Sequence, residues 1–371
     1  MQDYLKKYEV TIRTKGPIYI GSGKNIGKKE YYFDENNNKV YLFNFEKMFK
    51  GIINKNLDKK YQEYMFNAKA KMDLGEFFKK NGIGIMDIKN WSEYSIDASN
   101  IYNLKEFKFK GINTFIKESG NKNYIPGSSL KGAIRTALIV DGIVNNYKDF
   151  IKIGDKILSE SKNSKKVGIN INEIENRILR TIGRKNTDKK DAVNDIMSCI
   201  KVSDSQIIPN EYMTLCQRMD MDVDGNITQL PIYYECIKPG VDIKTTITID
   251  TSITDDINIE KIKKSIKTYS ERIDSDFISY FNDTEQCNIN TLFLGGYSGF
   301  PSKTIVYPLL QSDGLGFIEQ ILHNSFRKHN HLKDGERYNV SPRKIKVAEY
   351  GSTSRSGIYE MGKIEIDFKK I

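Results

Sequence analysis

Apolar and polar positions alternate with period two over residues 8–19, where Val10 and Ile12 oppose Thr11 and Arg13, predicting a strand with a turn at Gly16-Pro17. Gly21-Ser22-Gly23-Lys24 reads as a glycine turn after that strand. Short strands follow at 30–33 and 39–43 around the turn-rich 34–38. From 45 to about 81 the pattern becomes helical and charged, and 82–110 keeps no clear period. Pro126-Gly127 punctuates, Ser128 is a candidate cap, and Leu130, Ile134, Ala137 and Leu138 then share one helical face. Residues 142–192 are lysine-rich and read as helices with a mobile loop around 159–168. Strands return at 199–202 and 211–219, and 226–249 alternates like a hairpin turning at Pro239-Gly240. Ile259, Ile262, Ile266, Tyr269, Ile273, Phe277 and Tyr280 recur at spacings of three and four, as in an amphipathic helix. A short strand at 291–294, a helix starting at Ser312 or Asp313, and strands at 344–350 and 362–368 complete the chain.

Strand–helix–strand segments beside antiparallel hairpins favour an α+β fold over a doubly wound parallel sheet. The chain has 371 residues, enough for about two or three domains with real cores. Its 58 Lys and Arg against 48 Asp and Glu give a net charge of +10, which favours an anionic partner without choosing one. No apolar run approaches the ~18 residues of a membrane span, and the start, Met1-Gln2-Asp3-Tyr4-Leu5-Lys6-Lys7, has no apolar signal core. Cys199, Cys216, Cys236 and Cys287 are widely spaced, so free thiols in a reducing cytoplasm are expected rather than disulfides or a zinc site.

The segment from Ser128 carries the most chemistry. The first amides of a helix lack internal partners and sit at the positive end of its dipole, a natural anion site. Ser128 and Ser129 open the helix; Lys131 and Arg135 are four apart on one face, with Gly132 between them admitting a backbone. An ordinary capped helix with two solvated cations has the same spacing. Gly21, Ser22, Gly23 and Lys24 offer a second set of amides plus a lysine, and Gly295, Gly296 and Lys303 a third, with aromatic rings nearby. Ser302 stands where a P-loop needs glycine, so no nucleotide motif is present there. The acidic run 220–225 superficially resembles a calcium loop, but Pro231 occupies the bidentate-glutamate position; a hairpin tip at Asp224-Gly225 is the better reading. His323, His329 and His331 cluster without zinc spacing and are poor candidates for acid–base catalysis. No metal, cofactor or catalytic residue is expected.

Ile125-Pro126-Gly127-Ser128-Ser129-Leu130-Lys131-Gly132 followed by Arg135 resembles the hallmark of the RAMP superfamily, the RNA-binding subunits of CRISPR effector complexes. Gly16-Pro17 through Gly23, Val202-Ser203-Asp204-Ser205, Tyr234 through Gly240, Gly295-Gly296 through Thr304, and the ending Tyr359-Glu360-Met361-Gly362 resemble further segments of it in the same order. The ending is similar to the branch that caps the guide in type III-A Csm complexes, although Lys363 stands where that branch often has a hydrophobic residue or cysteine. The resemblance implies two ferredoxin-like (RRM-like) domains, 1–228 with helical insertions at about 45–110 and 142–198, then 229–371. It further implies a cytoplasmic, non-cutting subunit at the crRNA 3′ end that supports crRNA maturation and antiviral defence. Its partners would be crRNA and target RNA together with backbone and small Csm subunits. A metal-independent endoribonuclease that processes guide RNA, or a type III-B subunit, is the alternative reading.

Overall fold

Backbone groups buried in a folded chain must find hydrogen-bond partners, and here two large sheets and the helices between their strands supply them. The computed structural model describes residues 4–67, 72–101, 111–184, 187–188, 191–326, 339–351 and 357–371. Strands β1 (Leu5–Thr14), β2 (Gly21–Ile26), β3 (Tyr31–Asp34) and β4 (Lys39–Phe43) lead into helices α1 (Phe45–Asn54), α2 (Asp58–Phe66), α3 (Leu74–Lys80) and α4 (Ile85–Trp91). Next come β5 (Ser92–Asp97), β6 (Ile112–Phe115), β7 (Lys117–Glu118) and β8 (Lys122–Asn123), then α5 (Gly127–Asn145), α6 (Tyr147–Ser159) and α7 (Ser164–Leu179). Strands β9 (Ile200–Val202), β10 (Met213–Asp222), β11 (Ile227–Ile237) and β12 (Asp242–Asp250) precede α8 (Ile259–Asp276) and β13 (Thr291–Phe293). The chain closes with α9 (Val306–Leu310), α10 (Gly314–Ser325), β14 (Lys344–Tyr350), β15 (Gly357–Glu360) and β16 (Lys363–Lys370).

The first sheet is antiparallel throughout, in the order β13-β16-β1-β12-β9. Val10 and Ile12 of β1 are fully buried in it, whereas Arg13 faces solvent and holds Asp242 across the sheet at 2.8 Å. In chain order β1, α5, β9, β12, α8 and β16 form a βαββαβ succession, the ferredoxin-like arrangement. Helices α5 and α8 pack on each other around Asp141, which is fully buried. Its carboxylate accepts from Lys261 Nζ at 2.6 Å, Thr268 Oγ1 at 2.8 Å, Ser265 Oγ at 3.1 Å and Asn145 Nδ2 at 2.7 Å. Burial opposes that charge, but the bonds from Lys261 and Thr268 outweigh it and hold the carboxyl below its usual range.

The second sheet runs β2-β6-β11-β10-β5-β4-β3, with β14 beside β10 and β15 beside β14. The chain is thus α+β, as its pattern predicts. Residue 228 falls inside β11, and each sheet combines strands from both sides of it. Helices α1–α4 carry their own core, in which Phe77, Phe78 and Trp91 pack on Met48 and Ile52.

Three expectations are corrected. Residues 226–249 do contain two strands, but β11 and β12 do not pair with each other. The turn at Pro239-Gly240 sends β12 into the first sheet, while β11 stays between β10 and β6. The hairpin is β10–β11, and its tip at Asp224-Gly225 is as read: Asp222 Oδ1 accepts the Asp224 and Asn226 amides, and Gly225 takes φ +88°. Gly21–Lys24 is not a free turn but the start of edge strand β2, broken by a register shift that Gly23 accommodates at φ +82°. The loop expected around 159–168 is short, because α6 runs to Ser159 and α7 starts at Ser164, where the Asn163 side chain accepts the Lys166 amide.

Candidate nucleic-acid interface

Helix α5 begins at Gly127 with Pro126 in the cap position, and proline has no side-chain acceptor. Ser128 therefore lies inside the helix and does not cap it. The cap comes from a distant segment: Asp204 Oδ1 accepts the Gly127 N–H at 2.7 Å, and Ser205 Oγ accepts the Ile125 N–H at 2.9 Å. A Cβ on Gly127 would run into the Val202 carbonyl oxygen, so glycine is what lets α5 start against the end of β9. The two sequence signatures, Pro126-Gly127-Ser128-Ser129 and Val202-Ser203-Asp204-Ser205, are thus one structural unit.

Two faces of α5 diverge from there. Lys131 and Arg135 share a face as their spacing requires, but that face meets β9 and α7. Lys131 Nζ donates to the Ile200 carbonyl at 2.7 Å, and burial lowers its pKa. Arg135 bonds Asp195 at 2.8 Å and Glu175 at 3.1 Å; burial opposes its charge, yet those bonds push its pKa upward. Ser128, Ser129 and Gly132, with Ala133 and Thr136, face the other way into a cleft of about 370 Å³.

The opposite wall of that cleft is the glycine turn after β13. Gly295, Gly296, Ser302 and Lys303 line it, with Ile20 and Phe293 beneath. Gly295 has φ +80°, and a Cβ there would strike the Tyr19 carbonyl oxygen. The Gly296 N–H donates to that same oxygen at 2.7 Å, pinning the turn. Lys303 Nζ donates to the Gly295 carbonyl at 2.6 Å, and burial lowers its pKa. One donor of its ammonium is used there, so others are left for an anion. Six of the sequence-predicted residues meet at this cleft: Ser128, Ser129, Gly132, Gly295, Gly296 and Lys303. Lys131 and Arg135 do not.

Gly21, Ser22, Gly23 and Lys24 lie beyond the cleft, reached through Tyr19 and Ile20. Ser22 Oγ bonds Thr114 Oγ1 at 2.6 Å and accepts the Lys24 amide at 3.0 Å. Lys24 itself is exposed, and nothing stands within 4 Å of where a Gly23 Cβ would be.

Sequence reasoning named no aromatic platform, yet three part-exposed tyrosines gather beside the glycine turn. Tyr234 and Tyr297 stack at 4.7 Å between centroids with a 28° interplanar angle, and Tyr19 tilts against Tyr234 at 4.6 Å. Burial pushes the Tyr19 hydroxyl up to about 12. Tyr297 belongs to the glycine turn already singled out, which was the available signal; Tyr19 and Tyr234 arrive only through tertiary pairing.

No group of three or more potential metal ligands occurs among the described residues. Asp220 of the acidic run is taken up by Lys346 at 2.7 Å. His323 lies in the last turn of α10 with Nδ1 buried and unpaired, while His329 and His331 fall outside the described residues. Cys199, Cys216 and Cys236 are buried free thiols. No described helix is long and apolar enough to cross a membrane.

The chain is 26% identical over 393 residues to the CRISPR system Cms protein Csm5 of Mycobacterium tuberculosis, covering all of both chains. It is 26% identical over 385 residues to the Streptococcus thermophilus Csm5, covering 100% of this chain and 99% of that one. Its fold matches a chain of a type III-A Csm–crRNA–target RNA ternary complex with TM-score 0.64, 19% identity and coverage of 97% and 100%. It also matches T. onnurineus Csm5 with TM-score 0.60, 16% identity and coverage of 96% and 99%. Residues 11–296, which include the α5 wall of the cleft and Gly295-Gly296 of the other, match the RAMP superfamily, and the chain belongs to that family.

Proposed function

We propose that the chain is an RNA-binding subunit of a type III-A CRISPR (Csm) effector complex that caps the crRNA 3′ end without cutting RNA. Its partners in that reading are crRNA, target RNA and the backbone and small subunits of the complex. The observation that carries the reading is the cleft, where exposed α5 backbone at Gly132, two serine hydroxyls, a bare glycine turn and Lys303 converge. Hydroxyls, an exposed lysine and backbone bare of side chains suit phosphate and carry no base code, so binding is sequence-tolerant. The Csm5 relatives, aligned along the whole chain, support the assignment to a Csm complex.

The test is a salt series on full-chain binding to single-stranded RNA. Replacing Lys24 and Lys303 together by glutamine should reduce the slope of log affinity against log salt by about one to two, one for each phosphate that is no longer neutralised. An unchanged slope in a folded variant rejects the site. Incubation of the chain with CRISPR repeat RNA and a metal chelator should give no defined product; a reproducible cut rejects the non-cutting role.

A further inference from the structure

The surface next to the cleft suits something other than phosphate. Tyr19, Tyr234 and Tyr297 are each part-exposed, while the residues beneath them, Cys216, Cys236, Ala348 and Met361, are buried. The rings therefore cover a small apolar core while keeping part of their surface exposed. The Arg218 guanidinium lies 4.8 Å from the Tyr297 ring centroid and Lys346 Nζ 5.9 Å from it. One carboxylate, Asp220, offsets these two cations, at 3.6 Å from Arg218 and 2.7 Å from Lys346. Aromatic faces with a residual positive charge are the elements of a single-strand nucleic-acid platform.

Two features of Tyr297 are unexplained by packing alone. Its φ is +69°, a left-handed conformation that disfavours tyrosine, in a turn where Gly295 and Gly299 already supply positive φ. Its hydroxyl is buried without a hydrogen-bond partner. Cleft and rings also share structure. Gly296 lines the cleft, its amide binds the Tyr19 carbonyl, and a Cβ on it would touch the Tyr19 ring.

We propose that Tyr19, Tyr234 and Tyr297, flanked by Arg218 and Lys346, form a stacking subsite for an unpaired nucleobase of the strand whose phosphates occupy the cleft. The proposal rests on reading the cleft as an RNA site and adds the base contact to it. Stacking on π faces tolerates every base, so the subsite fixes the position of a nucleotide and not its identity.

The experiment titrates the full chain with a single-stranded RNA and with the same RNA made abasic throughout. Tyr297→Gly removes the ring while suiting the local φ, so the fold is kept; Tyr297→Phe keeps the ring and removes only the hydroxyl. Tyr297→Gly is expected to weaken intact RNA about tenfold and abasic RNA less than about twofold, with Tyr297→Phe keeping most of the difference between the two RNAs. Equal effects of Tyr297→Gly on both RNAs, or none on either, overturn the subsite. The cleft reading fails separately, by Lys303→Gln changing neither titration. If the wild-type chain binds neither RNA, both readings fall.

Discussion

Gly132 separates stability from binding at the proposed site. It lies inside the 19-residue helix α5, where glycine is about 1 kcal/mol worse than alanine. A Cβ at this position meets nothing within 4 Å, so Gly132→Ala brings that gain with no packing cost. A gain near 1 kcal/mol in a chain of this size raises the melting midpoint by about 2 °C, readable by calorimetry or circular dichroism. Gly132→Phe places a ring in the 370 Å³ cleft, and phenylalanine is still the better helix former, so the fold is kept. Blocking one charge-assisted phosphate contact, about 1.5–3 kcal/mol, should weaken RNA about tenfold or more in a filter or anisotropy titration. Stability and affinity then move in opposite directions. A lowered midpoint for Gly132→Ala refutes the open packing, and wild-type affinity for Gly132→Phe refutes the cleft as the phosphate site.

Other substitutions probe the supports. Gly127→Ala drives a Cβ into the Val202 carbonyl oxygen and should cost about 2 kcal/mol of stability, as for other overpacked sites, read as a lowered denaturation midpoint. Asp141→Ala leaves Lys261 and three other donors without their carboxylate. The loss is about 3 kcal/mol, at the low end for a buried pair because Lys261 is 39% exposed. The Asp141 carboxyl titrates below its ordinary 3.8, so its contribution is full above that pH and fades as pH falls through the lowered folded value. Unfolding titrations of wild type and variant should accordingly converge in strong acid. Arg135→Gln should cost about 1 kcal/mol, since its carboxylate partners and itself are all part-exposed, and should leave the salt slope of RNA binding unaltered. A reduced slope would return Arg135 to the phosphate site.

Much of the fold could be read from periodicity: β1 from its alternation, α8 from its threes and fours, the helical character of 45–81 from its charged stripe. Partners were harder to read than elements. Strands β11 and β12 follow one another across a two-residue turn signal, yet join different sheets, because Ile237 is bridged by Ile18, far away in the chain. Strand β2 escaped because it is an edge strand rich in glycine and without an apolar face. The helix at Ser128 was legible, and so was the gathering of Ser128, Ser129, Gly132, Gly295, Gly296 and Lys303 as candidate residues. The division of its faces was not, since the acceptors that claim Lys131 and Arg135 lie 69, 60 and 40 residues away. The charge of +10 therefore said less than the placement of a few glycines.

The most direct test of the cleft is position-resolved crosslinking of guide RNA to this chain within the assembled complex, read by mass spectrometry of the peptides. Adducts are expected on the segments 128–133 and 295–303, which form the two walls. Adducts confined to the lysine-rich helices α6 and α7, with both walls unmodified, would contradict it.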